Sequence, residues 1–162
     1  MKYSIYKYCA VILLGLIMTA CTSQGQDAST GEAREEANKQ AALAYYQALI
    51  GDIDYDKAEQ YTAEYIQHDP NVCCDGFPAL KEYLMTDSFF GSRQTRQIEF
   101  HNIIADGDLV YFQLRNELAV GDGQRGLVQH SFRFNDEGLI AEHWSSNTIV
   151  NLSDSINPHP LF

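Results

Sequence analysis

Histidine is the residue type in this chain best suited to proton transfer, and His130 is the strongest candidate. Val128 and Phe132 flank it at intervals of two among alternating polar residues, which predicts a strand with His130 on its buried face. Imidazole titrates near pH ~6.5, so an enclosed histidine can accept a proton at neutral pH. We therefore predict that His130 acts as a general base; a core histidine satisfied by one hydrogen bond is the alternative.

The last predicted strand carries a second histidine, His143, two residues before Ser145. Residues two apart on a strand share a face, so we predict His143 as a catalytic residue and Ser145 as a substrate-binding residue if that face lines a pocket. Two exposed polar side chains are the alternative. A nucleophilic Ser–His pair is not favoured, because the two side chains stand ~6–7 Å apart at the base and no nucleophile elbow surrounds Ser145.

A third candidate catalytic histidine, His68, directly precedes Asp69 in a predicted loop. The alternative is a loop histidine whose hydrogen bond to Asp69 stabilises the turn. Tyr65 lies close to His68, and Tyr111 shares a predicted strand face with Gln113. Because tyrosine combines an apolar ring with a polar hydroxyl, we predict that Tyr65, Tyr111 and Gln113 bind substrate. Core packing is the alternative for the tyrosines.

Composition and motif content restrict the class of protein. The 162 residues are 45% hydrophobic and carry a formal charge of −11, which suits one globular domain and argues against nucleic-acid binding. The sequence has no P-loop and no dinucleotide-binding glycine motif, so no cofactor is predicted. The three candidate histidines come from separate elements without the spacing of a metal site, so no metal is predicted.

The elements that would position these residues are helices followed by strands. Apolar spacing and capping residues predict three helices, over Thr30–Asp52, Asp54–Tyr65 and Phe77–Met85. From Thr95 the apolar period changes to two, with Ile98, Phe100 and Ile104 predicted to face inward. Glycine-containing turns then separate four long strands, the last of them over Leu139–Val150. This order predicts an α+β fold with helices on one face of an antiparallel sheet.

The N-terminus has the pattern of an export signal. Lys2 and Lys7 precede an apolar run over Cys9–Ala20, which is too short to span a bilayer. The run ends in Met18-Thr19-Ala20-Cys21, which resembles the bacterial lipoprotein box. We predict a signal peptide over residues 1–20, lipidation of Cys21, a flexible tether over 21–33 and a domain over 34–162. The protein would then be lipid-anchored and periplasm-facing, at the outer membrane; an ordinary cleaved secretory signal is the alternative.

Cys73 and Cys74 are adjacent, and they are the only cysteines beyond Cys21. In an oxidising periplasm the two could close a strained vicinal disulfide. They could equally be two small hydrophobic side chains that fill a loop.

Several strings together resemble the SnoaL-like branch of the nuclear-transport-factor-2-like superfamily. They occur in family order over roughly residues 35–162 and comprise Tyr65–Asn71, Gly107–Val110, Phe132-Arg133, Asp136–Ile140, Glu142–Trp144 and Asn157–Phe162. The resemblance implies a cone-shaped, strongly curved antiparallel sheet wrapped by N-terminal helices around a deep cavity, commonly in a homodimer. Relatives include polyketide cyclases, ketosteroid isomerase, dehydratases and non-enzymatic members.

Three departures from the family pattern leave two functions open. His130 and Ser145 stand where close members have Asp, and Gln113 stands where a His is common. Carboxylates are the usual acid–base groups of the cyclases, so their loss argues against aldol-type cyclisation. One hypothesis is an acid–base isomerase, dehydratase or cyclase acting on a small hydrophobic molecule. The other is a non-catalytic module that binds such a molecule or supports dimerisation.

Overall fold

The computed structural model describes residues 30–87, 94–115 and 121–157. The described residues from Glu35 onward belong to one compact unit. The predicted signal peptide, Cys21 and most of the tether lie outside the described residues. Within those three described ranges, no helix is long and apolar enough to cross a membrane.

The first and third of the three predicted helices are present in the structure. Helix α1 covers residues 30–46 and continues as a π-helix over Gln47–Asp52. Helix α2 covers only Tyr55–Glu59, and the Asp54 side chain caps it by accepting a hydrogen bond from the Lys57 N–H at 3.0 Å. Helix α3 covers Phe77–Thr86, with a proline in its first turn, where the missing N–H costs no hydrogen bond.

The described strands form one five-stranded sheet in the order β1-β5-β4-β3-β2. Their bounds are Thr62–Gln67 for β1, Phe100–Asp106 for β2, Leu109–Arg115 for β3, Gln124–Phe134 for β4 and Ile140–Asn151 for β5. All neighbours are antiparallel except β1 and β5, which are parallel. The α+β fold class is therefore confirmed.

The predicted second helix is wrong beyond Glu59. Tyr61 and Tyr65 are four residues apart, a spacing that suits one face of a helix and also one face of a strand. In the structure the chain from Thr62 is β1, and Thr62 lies opposite Ile140 of β5. Pairing with β5 makes this segment a strand and not a helix. The local sequence does not reveal β5 as its partner, because β5 lies far along the chain.

The predicted inward position of Ile104 is also wrong. The β2–β3 register shifts between His101 and Ile104, and Asn102 between them has a left-handed φ of 48°. Such a bulge inserts an extra residue and reverses the faces of those that follow it. Ile104 is 59% exposed as a result, whereas Ile98 before the bulge is buried as predicted.

The core lies between the helices and the inner face of the sheet. Aromatic and aliphatic side chains at every second position of β3 and β4 point inward, and the most deeply buried are Val110, Phe112, Phe132 and Phe134. Tyr45 of α1 packs edge-to-face on Phe132, with ring centroids 5.6 Å apart. The same alternation that buries these rings places His130 on the inner face.

Candidate functional site

A cavity of about 280 Å³ opens between the helices and the inner face of the sheet. Its lining is mainly apolar, contributed by Tyr45, Tyr46, Leu49, Ile50, Leu80, Tyr83, Leu84, Leu114 and Val128. Polar residues complete it, namely Asp69, Asn71, Asp87, Arg96, His130, His143, Ser145, Ser146 and Asn147. A small, mostly apolar molecule fits such a space.

The two histidines and one tyrosine form a buried hydrogen-bonded chain in the cavity wall. His130 Nδ1 is hydrogen-bonded to His143 Nε2 at 2.9 Å, and His130 Nε2 to the Tyr46 hydroxyl at 3.0 Å. Residues on neighbouring antiparallel strands bring the imidazoles together, since Phe132 pairs with His143 and His130 with Ser145. Both nitrogens of His130 are therefore occupied, whereas His143 Nδ1 has no hydrogen-bond partner in the described structure.

Burial keeps both imidazoles neutral at physiological pH. Desolvation lowers the pKa of His130 well below 6.5, and the neighbouring His143 lowers it further. Desolvation also lowers the pKa of His143 to about 4, with Asp69 partly opposing and His68 adding to the effect. A neutral imidazole presents one donor and one acceptor nitrogen, so the chain can run in either direction. The histidines therefore add hydrogen-bonding capacity but no positive charge.

Asp69 contributes a carboxylate to the same cavity, held by three hydrogen bonds. Its Oδ2 accepts from the Ser145 hydroxyl at 2.5 Å, and its Oδ1 accepts from the Asn71 backbone N–H and Nδ2 at 2.9 and 3.0 Å. The parallel pairing of β1 and β5 brings Asp69 to this wall, since the His68 N–H donates to the His143 carbonyl at 2.9 Å. The cavity thus contains a preorganised anionic group beside neutral imidazoles.

Other predicted site residues lie away from the cavity. His68 is exposed and stacks on Trp144, with centroids 4.7 Å apart and planes 4° from parallel. The Tyr111 hydroxyl accepts a hydrogen bond from Gln129 Nε2 at 2.9 Å, on the outer face of the sheet. Gln113 is on that outer face as well. The structure therefore brings together His130, His143 and Ser145 and leaves His68, Tyr111 and Gln113 outside.

Tyr65 is buried in the core, 2% exposed, and does not line the cavity. Burial raises the pKa of Tyr65 to about 12. Its hydroxyl lies beside that of Tyr45 but makes no well-formed hydrogen bond. Tyr65 therefore belongs to the hydrophobic core and not to the cavity wall.

Cys73 and Cys74 are exposed free thiols, with their Sγ atoms 2.7 Å apart. The disulfide between them stays a prediction. Within the residues that the structure describes, no group of three or more His, Cys, Asp or Glu side chains is arranged to hold a metal ion.

The match to a family model covers most of these elements. The model described as a SnoaL-like domain matches residues 38–143, from α1 through His143. The chain belongs to the SnoaL-like family. A search of curated proteins found no significant match.

Solved structures show the same fold as this SnoaL-like domain at low sequence identity. Rv0760c from Mycobacterium tuberculosis has a TM-score of 0.50 and 15% identity, over 70% of this chain and 96% of that one. The same protein was solved with estradiol-17β-hemisuccinate, with a TM-score of 0.50, 14% identity and coverage of 69% and 98%. TerC co-crystallised with polyporic acid has a TM-score of 0.50 and 18% identity, over 68% and 90%.

The sequence does not single out Asp69 or Arg96 as residues of the SnoaL-like cavity, nor Tyr46 as the partner of His130. Asp69 lies within the family-like string Tyr65–Asn71 but was interpreted only as a turn partner of His68. Tyr45 and Tyr46 of the first predicted helix are among the tyrosines that could line a cavity, but nothing local marks Tyr46 as the partner of His130. Arg96 lies in an irregular segment that carries no periodic signal.

Proposed function

We propose that the cavity binds a small, largely apolar molecule that carries at least one hydrogen-bonding oxygen. The observation that carries this proposal is the 280 Å³ space with an apolar lining and a buried chain of neutral donors and acceptors. Neutral imidazoles suit a ligand whose enclosed part is uncharged. Two proteins of the same fold were solved with the ring compounds estradiol-17β-hemisuccinate and polyporic acid, which supports a ligand of that general size.

Filling the cavity should abolish this binding. Leu114 is 3% exposed and lines the cavity, so Leu114→Trp places an indole where the ligand would lie. The probe is N-phenyl-1-naphthylamine, a neutral fluorescent ring compound. At a hundred times its Kd the probe should stabilise the wild-type protein by about 2.7 kcal/mol and raise the melting temperature, measured by thermal shift.

Leu109→Trp is the matched control, because Leu109 belongs to the same strand but is 38% exposed and lies outside the cavity. It should keep the probe-induced shift that Leu114→Trp loses. A shift that survives unchanged in a folded Leu114→Trp protein, or no shift in the wild type, contradicts the proposal.

A second candidate function is proton transfer on the bound molecule, in an isomerase- or lyase-type reaction. Asp69 favours it, because a half-buried carboxylate in the wall of an apolar cavity can accept a proton from carbon. We assign this role to Asp69 in preference to His130, because both nitrogens of His130 are already engaged. His130 would then link the two ends of the hydrogen-bonded chain, and Tyr46 or His143, according to the direction of the chain, would donate to an oxygen of the ligand. Turnover of a carbon acid by the protein tests this candidate.

We also propose that the domain is exported and anchored through a lipidated Cys21, on the basis of the leader sequence alone. Several acyl chains would hold the protein at the membrane, since one chain alone binds only marginally. Cys21→Ala should therefore move the protein from the membrane to the soluble fraction of a Gram-negative host. Cys9→Ala, within the leader, is the control and should not. Equal membrane retention of both variants would show that Cys21 is not the anchor.

A further inference from the structure

Arg96 is a basic residue of the cavity lining. It is half-buried in the irregular segment 94–99 and borders both the main cavity and a small adjoining pocket. Its guanidinium makes no hydrogen bond or ion pair with any residue that the structure describes. Other basic residues do find acidic partners, as Arg133 does with Asp108 and Glu142 at 2.9 and 3.0 Å.

The backbone of Arg96 is held in place by the π-helix that continues α1. The Arg96 N–H donates to the Gly51 carbonyl at 2.8 Å, and its carbonyl accepts from Gln47 Nε2 at 2.9 Å. The approach is close enough to require glycine, since a Cβ on Gly51 would lie 2.7 Å from the Arg96 carbonyl oxygen. Arg96 therefore has a defined position at the cavity, although it belongs to no helix or strand.

The surrounding charges leave Arg96 available to a ligand. Within the described lining, the acidic side chains are Asp69 and Asp87. Asp69 already accepts hydrogen bonds from Ser145 and Asn71, and the imidazoles are neutral. The chain as a whole carries a charge of −11, so an anionic ligand needs a local cation to bind here.

We propose that Arg96 binds the anionic group of the cavity's ligand, so that the ligand is a small organic acid with an apolar body. The planar guanidinium matches a carboxylate with two parallel hydrogen bonds. The apolar body would lie against the leucine-lined interior, and the carboxylate would lie beside Arg96. This inference rests on the proposed ligand-binding function and adds the chemical class of the ligand.

A matched pair of probes isolates the charge. 8-Anilinonaphthalene-1-sulfonate carries the ring system of N-phenyl-1-naphthylamine plus one anionic group. Fluorescence titration of both probes is carried out on the wild type, Arg96→Gln, Arg96→Lys and Arg125→Gln. Arg125 is also half-buried but lies outside the cavity, so Arg125→Gln controls for the loss of one positive charge.

Arg96→Gln should weaken binding of the anionic probe by about tenfold or more and change binding of the neutral probe by less than about twofold. Arg125→Gln should leave the binding of both probes unchanged. The affinity of Arg96→Lys for the anionic probe should lie between those of the wild type and Arg96→Gln, because lysine keeps the positive charge but cannot make two parallel hydrogen bonds. Sodium chloride should weaken binding of the anionic probe to the wild type and have little effect on Arg96→Gln. The carboxylate itself is tested by displacement of the neutral probe, in which 2-naphthoate should outcompete neutral 2-naphthamide in the wild type only.

Two failures are distinguishable. If the neutral probe binds and Leu114→Trp abolishes that binding, but Arg96→Gln binds the anionic probe as the wild type does, the role of Arg96 is overturned and the cavity function stands. If neither probe binds the wild type, both proposals are overturned together.

Discussion

Between pH 6.5 and pH 4 the protein is expected to lose stability because of the buried His130–His143 pair. The pKa of His143 is lowered to about 4 and that of His130 is also lowered, mainly by burial. In the unfolded chain both imidazoles take up protons near pH ~6.5. The unfolded state therefore binds more protons than the folded state in this window, and the free energy of unfolding falls as the pH falls.

The stability from this source is fully present above pH ~6.5, where the imidazoles are neutral in both states. For His143 alone, lowering the pH from 7 to 4.5 should remove about 2–3 kcal/mol, measured by urea unfolding at each pH. His130 adds to this loss in the same direction. Carboxylates also destabilise proteins in acid, so the histidine contribution has to be separated from theirs.

The double variant His130→Leu/His143→Leu makes that separation, because it removes both imidazoles without leaving one of them unpartnered. It should lose most of the pH dependence between 6.5 and 4.5. His101→Leu is the control, because His101 lies on the outer face with Glu99 and should leave the dependence intact. Equal pH dependence in the wild type and the double variant would show that the buried pair is not its source.

Asp69→Asn is expected to lower proton abstraction from carbon in the cavity by about a hundredfold or more, the range that general base catalysis contributes. The probe reaction is the elimination of 5-nitrobenzisoxazole, a small neutral carbon acid. A base removes the proton on carbon 3, the nitrogen–oxygen bond breaks, and a nitrile and a phenolate form. The phenolate is followed by its absorbance.

Asparagine keeps the size of the side chain and removes its basicity, so kcat should fall while KM changes little. Asp87→Asn is the matched control, since Asp87 also lines the cavity and the change removes the same charge. Ser145→Ala should have a smaller effect, because it removes one hydrogen bond that positions the carboxylate. A wild-type rate no higher than that of Asp69→Asn would leave binding without turnover as the function.

Much of the fold was predictable because its signals are local. The period-two alternation over Gln124–Phe134 places His130 inward with Phe132, and the structure has that arrangement. The second helix was predicted too long because tyrosines four residues apart fit a helix until β5 pairs with that segment. Ile104 was misplaced because one bulged residue reverses the alternation, and apolarity alone does not reveal a bulge.

The site was only partly predictable, because long-range contacts assemble it. The alternation of residues along β5 predicts which face of the strand carries His143, but it does not predict that His143 bonds to His130. The chain from Tyr46 through His130 to His143 joins residues 84 and 13 positions apart. Arg96 is held at the cavity by hydrogen bonds to Gln47 and Gly51, which no pattern in its own segment indicates.

The parallel pairing of β1 with β5 has a consequence for how the domain forms. Thr62 and Ile140 are partners across about eighty residues of chain, so their contact carries a large loop-closure cost and raises the contact order. Hairpins among the later strands have much shorter loops and can form earlier. We therefore expect docking of β1 to be a late folding event. A nascent chain that ends before β5 should accordingly be unable to bind the ligand.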